Sequence, residues 1–239
     1  MSEKKQKKEM PGAKHIITAI FLTMTIIAAA VALTLAFKQM YYVDVQNLNL
    51  AEETGYSYEE ITQNYDALVK YNQDVRQAEL ELTLPMSEEG AYHFAEVKNI
   101  FVFIQYVMLP IGLFGTYFGI RKIKKDKEPG WDFLKWTAIF AIAIPAIVGS
   151  FIAVAWDQVF VWFHQIFFRN DYWMFDPVTD PIITLLPDSF FMHCAVMIVV
   201  LVLLSGVACY LLYRSNTKKN VKMKPLEIKG SAKNPFLKK

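Results

Sequence analysis

The sequence predicts an α-helical integral membrane protein with four transmembrane helices, both termini cytoplasmic, and a small mixed α/β extracytoplasmic cap. Three observations carry this. Of the 239 residues, 54% are apolar, too many for a soluble domain of ordinary composition. Four apolar runs, residues 15–37, 99–120, 134–156 and 190–213, reach the roughly 20 helical residues that a bilayer core of about 30 Å requires. The connections between them alternate in charge. Residues 1–14 hold five Lys and two acids, the loop 121–133 counted on to Lys135 holds six basic residues and three acids, and the tail 214–239 holds nine basic residues and one acid. The other two connections, 38–98 and 157–189, carry four basic residues against twelve acids and one against five. Lys and Arg stay on the cytoplasmic side, so the two acidic connections are predicted to lie outside.

The first run has no small-residue cleavage site after it and reads as a retained signal anchor. It holds no charge until Lys38. Residues 38–98 are too long for a turn and have periodicities of their own. Residues 40–50 alternate as a half-buried strand would, with Tyr41, Val43 and Val45 on one face. Ser57 followed three residues later by Glu60 is a capping-box pattern, and Ile61, Tyr65, Leu68, Val69 and Asn72 continue it at helical spacing. Leu80, Leu82 and Leu84 alternate with Glu79, Glu81 and Thr83 as a second strand would, ended by Pro85. Ser87 then caps a helix that passes His93 and Glu96 and runs into the second span.

In that span Pro110 predicts a kink, and Gly112, Gly115 and Gly119 predict a close helix contact. Pro145 predicts a second kink in the third span. No charged residue lies near the centre of any span, which argues against an ion-coupled transporter or a proton relay through the bilayer. Cys194 and Cys209 are fifteen residues apart on the last helix, roughly 22 Å, so they do not pair with each other.

The segment 157–189 is the densest in chemistry. Asp157 and His164, seven apart, return to one helical face after two turns. His164 lies among Phe160, Trp162, Phe163, Phe167, Phe168, Tyr172 and Trp173, the side chains of a lipid–water boundary. Residues 182–187, IITLLP, are too short to span and are expected to lie in or dip into the interface. His193 is a third histidine on the outer side, with neighbours that suggest packing. On the preceding helix Glu96, three residues after His93, is placed to orient that imidazole. The plain alternative is a surface histidine beside a surface glutamate, and local sequence leaves both open.

The chain has no GxSxG, HExxH or P-loop, so the common hydrolase, metalloprotease and nucleotide-binding signatures are absent. Catalysis would then use histidine and carboxylate. An imidazole with a pKa of about 6.5 both takes and returns a proton near neutral pH, as acyl transfer between oxygen and nitrogen requires. Zinc binding by two histidines lacks a clear third ligand. A purely structural role for both histidines stays open from composition and spacing.

The runs GYSYEEITQNYDALVKYN at 55–72, HFAEVKNIF at 93–101, FHQIFFRNDYWMF at 163–175 and DPIITLLPDSFF at 180–191 resemble, in that order, the bacterial lipoprotein intramolecular transacylases. The resemblance covers most of residues 15–215. Two positions depart from it: Glu96 stands where aspartate is frequent, and Leu186 precedes Pro187 in place of an aromatic. It implies an enzyme that moves the sn-2 acyl chain of a diacylglyceryl group to the α-amine of a lipoprotein's N-terminal cysteine, giving the lyso-form lipoprotein. His93 and His164 would be catalytic, one removing a proton from the amine and one protonating the departing glycerol oxygen. Glu96 and Asp157 would orient the imidazoles, and Asn170 or a backbone amide would donate to the oxyanion. Phe167, Phe168 and Trp173 would bind substrate. The partners implied are diacylated membrane lipoproteins and membrane lipids, with no cofactor, metal or nucleic acid, on the outer side of the bacterial cytoplasmic membrane. The rival readings are a non-catalytic membrane accessory protein and an interfacial lipid ester hydrolase.

Overall fold

The computed structural model describes residues 12–126 and 130–222. The start of the basic N-terminus, residues 127–129 of the basic loop, and the end of the basic tail lie outside the described residues. Every regular element among those described is helical. Four helical stretches are long and apolar enough to cross a membrane: Ala13–Ala36, Glu88–Lys125, Asp132–Val154 and Asp188–Thr217. The first is α1, and the third is α7 (Asp132–Val154), which keeps Pro145 inside it. The last span belongs to α9, Asp188–Lys222.

The second stretch is 38 residues long, about 57 Å at 1.5 Å per residue and nearly twice the depth of a hydrocarbon core. Only part of it spans. It is made of α5 (Glu88–Phe103), a π-helical turn (Ile104–Met108) and α6 (Leu109–Lys125). Pro110 has no N–H to give the ladder, and the π turn stands just before it, a usual remedy for a broken i→i−4 pattern. Gln105 and Tyr106 in this turn donate to the carbonyls of Asn72 and Gln73 at 3.0 and 2.8 Å. The polar cap therefore reaches down this helix as far as Tyr106.

The glycines of α6 pack on α1 as the small-residue spacing predicts. A Cβ on Gly112, Gly115 or Gly119 would lie 2.5 Å from Thr25 Oγ1, 2.3 Å from the Phe21 ring and 2.2 Å from Thr18 Oγ1, respectively. Only a hydrogen fits, and the two backbones approach closely.

The cap differs from the sequence expectation in its class. It is helical, with α2 (Gln39–Asn47), α3 (Leu50–Thr54) and α4 (Tyr58–Gln73), so the mixed α/β cap is not found and neither expected strand forms. Along residues 40–50, Tyr41, Asp44 and Val45 are buried, an i, i+3, i+4 set. Tyr41 and Val45 fit a strand face as well as a helix face. Val43, which a strand would bury with them, is 53% exposed. Leu80, Leu82 and Leu84 do turn inward against the cap core, but no strand lies alongside. The side chain of Asn64 stands in for one, accepting from Thr83 N at 2.9 Å and donating to Thr83 Oγ1 at 2.7 Å.

The Ser57–Glu60 capping box is complete, and Ser87 Oγ accepts from Gly90 N at 2.9 Å. Residues 182–187, expected in or dipping into the interface, pack apolar side chains into the cap core. Pro181–Leu185 is a 3-10 turn with Ile182 and Leu185 buried in the cap core. The Tyr41 hydroxyl donates to Leu185 O at 2.7 Å, and the Tyr41 ring stacks on Tyr65 at 3.8 Å with Phe190 edge-on. The turn is the seam that ties α2 and α4 to the start of α9.

Candidate active site

His93 sits in the second turn of α5, and His164 in the last turn of α8 (Trp156–Phe167), the aromatic helix after α7. The fold brings them together. Their ring centroids are 5.9 Å apart with planes inclined by 33°. Both are buried, at 4% and 8% exposure. Aromatic rings form the walls. Phe168 meets the His93 ring edge-on at 4.6 Å and lies 5.6 Å from His164, Phe175 meets His93 at 5.5 Å, and Trp173 stacks on His164 at 4.5 Å.

His164 Nδ1 is 2.7 Å from the carbonyl oxygen of Phe160, one turn earlier on α8. A carbonyl only accepts, so Nδ1 carries the proton and the neutral ring leaves Nε2 as its basic lone pair. His93 Nδ1 is buried with no hydrogen-bond partner among the described residues. Such an orphan is costly in a folded protein and calls for an explanation. Burial, with the nearby His164 second, pulls His93 from 6.5 to about 4. Burial also lowers His164, while its bond to the Phe160 carbonyl and the charge of Asp188 push the other way. Both rings are therefore neutral near pH 7, and the His93–His164 coupling disfavours a second proton once one ring is charged.

The residues expected to support them sort differently. Glu96 does not bind His93. Its two carboxylate oxygens accept from Asn170 Nδ2 at 3.2 and 3.1 Å, and Asn170 Oδ1 accepts from Tyr172 N at 3.1 Å. The pair fastens the loop after α8 to α5, and the amide expected to face an oxyanion is spent on a carboxylate. Asp157 is exposed in the first turn of α8, where its charge suits the helix N-terminus. It is seven residues, roughly 10 Å along the axis, from His164, and the structure does not bring them together. Phe168 and Trp173 line the histidines. Phe167 is exposed on the outer flank of α8 with Trp162, Phe163 and Ile166.

Sequence reasoning missed three contributors. Asp180, 3% exposed, accepts from Ser87 N at 2.7 Å and from the Thr179 hydroxyl at 2.7 Å, locking the start of α5 to the loop before α9. Phe175 backs His93. Asp188 is the carboxylate whose charge His164 feels. An acid beside Pro181 was legible only as a turn signal. His193 pairs with the buried Asp44, Nδ1 to Oδ2 at 2.8 Å, joining α2 to α9. Among the described residues, no group of three or more His, Cys, Asp or Glu converges as metal ligands would.

Four apolar spans with a helical cap, and two buried imidazoles facing each other among aromatic rings, define an integral membrane protein. Residues 16–191 match the family model described as lipoprotein intramolecular transacylase Lit, and the chain belongs to that family. It is thus a membrane acyltransferase with a lipoprotein substrate. The fold is similar to the in meso structure of the membrane integral lipoprotein intramolecular transacylase Lit from Bacillus cereus, at 35% identity and a TM-score of 0.82, covering 87% of this chain and 96% of that one. A variant of that protein with a histidine-to-arginine substitution matches at 35% identity and TM-score 0.78, covering 88% and 93%. A histidine-to-alanine variant matches at 36% and 0.77, covering 87% and 94%. Among curated proteins, none matches the chain.

Proposed function

We propose that this acyltransferase moves the sn-2 acyl chain of the diacylglyceryl group to the α-amine of the lipoprotein's N-terminal cysteine, with His93 and His164 handling the protons. The observation that carries this is the facing pair of buried, neutral imidazoles with an available base, His164 Nε2, and an unpartnered atom, His93 Nδ1. The amine nitrogen bonds to the acyl carbon, the bond from that carbon to the glycerol oxygen breaks, and the amine's proton ends on that oxygen. One imidazole takes the proton, and only one of the coupled pair holds it at a time. A substrate oxygen or nitrogen between the rings supplies the bond that His93 Nδ1 lacks. Donor and acceptor belong to one molecule, so proximity is partly built into the substrate. The Glu96–Asn170 brace and the Phe168 and Trp173 walls hold the rings in place, and the exposed aromatic flank of α8 with Phe167 meets lipid. The charge pattern supports a topology with both termini in the cytoplasm and the site on the outer face of the bacterial cytoplasmic membrane.

The test is the mass of the N-terminal lipopeptide after incubation with wild-type membranes. The proposal predicts an unchanged total mass with one acyl chain now on nitrogen. Release of free fatty acid would make the site a hydrolase, and an untouched lipopeptide would leave an accessory protein.

The histidines also set a pH dependence. The substrate amine titrates at about 7.7–8.0, so the transfer rate falls once as pH drops through that range. The enzyme adds a second fall when its neutral base is protonated. Since burial lowers both imidazoles, that second inflection in kcat/KM is expected below pH 6.5. An enzyme-borne inflection at or above 6.5 would contradict the buried, neutral pair.

A further inference from the structure

We propose that a groove beside the cap, distinct from the histidine chamber, binds the phosphate of an anionic phospholipid headgroup. The groove is open, holds about 580 Å³, and is lined by Lys38, Asp66, Lys70, Asp74, Arg76 and Tyr106, among others. Residues 38–98 carry twelve acids and only four basic residues, and three of those four face this one groove. The fourth, Lys98, is buried, with its ammonium on the Gln77 carbonyl and over the Tyr71 ring at 4.2 Å.

The two acids in the lining already have partners. Asp66 accepts from the Tyr42 hydroxyl at 2.6 Å and pairs with Lys38 at 3.0 Å. Asp74 Oδ1 accepts from Arg76 N at 2.9 Å, with Arg76 Nε at 3.4 Å. Among the described residues the Arg76 side chain makes no other ion pair, and it is 90% exposed. Lys70 forms no ion pair among the described residues. The plain account of Lys70 is that it answers the open carbonyls at the end of α4. Here the carbonyls of Asn72 and Gln73 accept from Gln105 and Tyr106, so Lys70 remains for a ligand, beside the exposed end of Arg76 beyond its Nε.

Depth selects the ligand. Lys38 follows the end of α1 at Ala36, and Tyr106 lies on the second spanning helix. On the proposed topology Lys38 therefore sits at the outer hydrocarbon boundary, where phosphodiesters lie and where Lys side chains settle, and Tyr106 marks how far the polar cap reaches down its helix. Each basic side chain removed from an anionic lipid headgroup is expected to weaken binding about fivefold.

The test is native mass spectrometry of the full chain titrated with phosphatidylglycerol, with inorganic phosphate as a competing arm. Wild type should retain the lipid, and Lys70→Ala with Arg76→Ala should bind it about 30-fold more weakly, from two such contributions. The exchange pair Lys70→Arg with Arg76→Lys should bind as wild type, and all variants should keep transacylase activity, which shows them folded. Equal lipid affinity in wild type and the alanine pair would overturn the proposal. So would displacement of the lipid by an equal concentration of inorganic phosphate. Neither readout depends on the roles of His93 and His164.

Discussion

Replacing His164 with alanine is expected to lower the acyl-transfer rate by about 10²–10⁴, the usual worth of a positioned general acid–base group. The ring gives more than a lone pair. Its Nδ1 proton is committed to the Phe160 carbonyl, which fixes both tautomer and orientation, and its face stacks on Trp173. Alanine also leaves a hole beside that indole, so His164→Gln is the better probe. Glutamine can still donate to Phe160 O but cannot accept a proton near neutral pH. It should fold with a melting temperature close to wild type and lose the activity all the same. If the two imidazoles pass one proton between substrate atoms, they act as a unit, and such units are strongly non-additive. His93→Ala combined with His164→Gln should then be little slower than either alone. Losses that multiply would mean the two residues act in separate steps.

Gly90→Ala is the second large effect, and it acts from outside the chemistry. A Cβ there would lie 2.3 Å from Asp180 Oδ1 and 3.1 Å from Phe175 Cε1. Neither neighbour is free to give way. Asp180 is held by Ser87 N and Thr179, and Phe175 lies against His93 and Phe94. Overpacking of this kind costs about 1–3 kcal/mol. Loss of a hydrogen bond to the buried Asp180 carboxylate adds about 1.5–3 kcal/mol. The melting temperature should fall, and a displacement of His93 by about 1 Å would cost on the order of 10²-fold in rate. Gly55→Ala is the control, because φ is 77° there but the space is open. It should cost stability through backbone strain alone and leave the rate unchanged. A Gly90→Ala protein with wild-type rate and melting temperature would show that Asp180 and Phe175 do not set the position of His93.

What could be read from the sequence followed from signals that are local. Long apolar runs marked the four spanning helices, and the Ser57–Glu60 and Ser87 caps marked helix starts, because those contacts reach only three residues along the chain. The spacing of Gly112, Gly115 and Gly119 marked the α1–α6 contact. The cap class was misjudged where one pattern fits two periods. Tyr41 and Val45 share a face in a strand and in a helix alike, and the exposure of Val43 with the burial of Asp44 decides between them. The two histidines were marked by chemistry and by resemblance, but their supports were not. Glu96 passes over His93, three residues away, for Asn170, 74 residues away. Asp180 finds Ser87 at a separation of 93. Such pairings are products of tertiary packing and leave no periodic trace.

The most direct measurement uses a diacylated lipopeptide whose sn-1 and sn-2 chains differ in mass, incubated with wild type or His164→Gln and fragmented to locate each chain. Wild type should put the sn-2 chain on the cysteine nitrogen at constant total mass, and His164→Gln should not. Movement of the sn-1 chain, or transfer by His164→Gln at the wild-type rate, would contradict the proposed transfer.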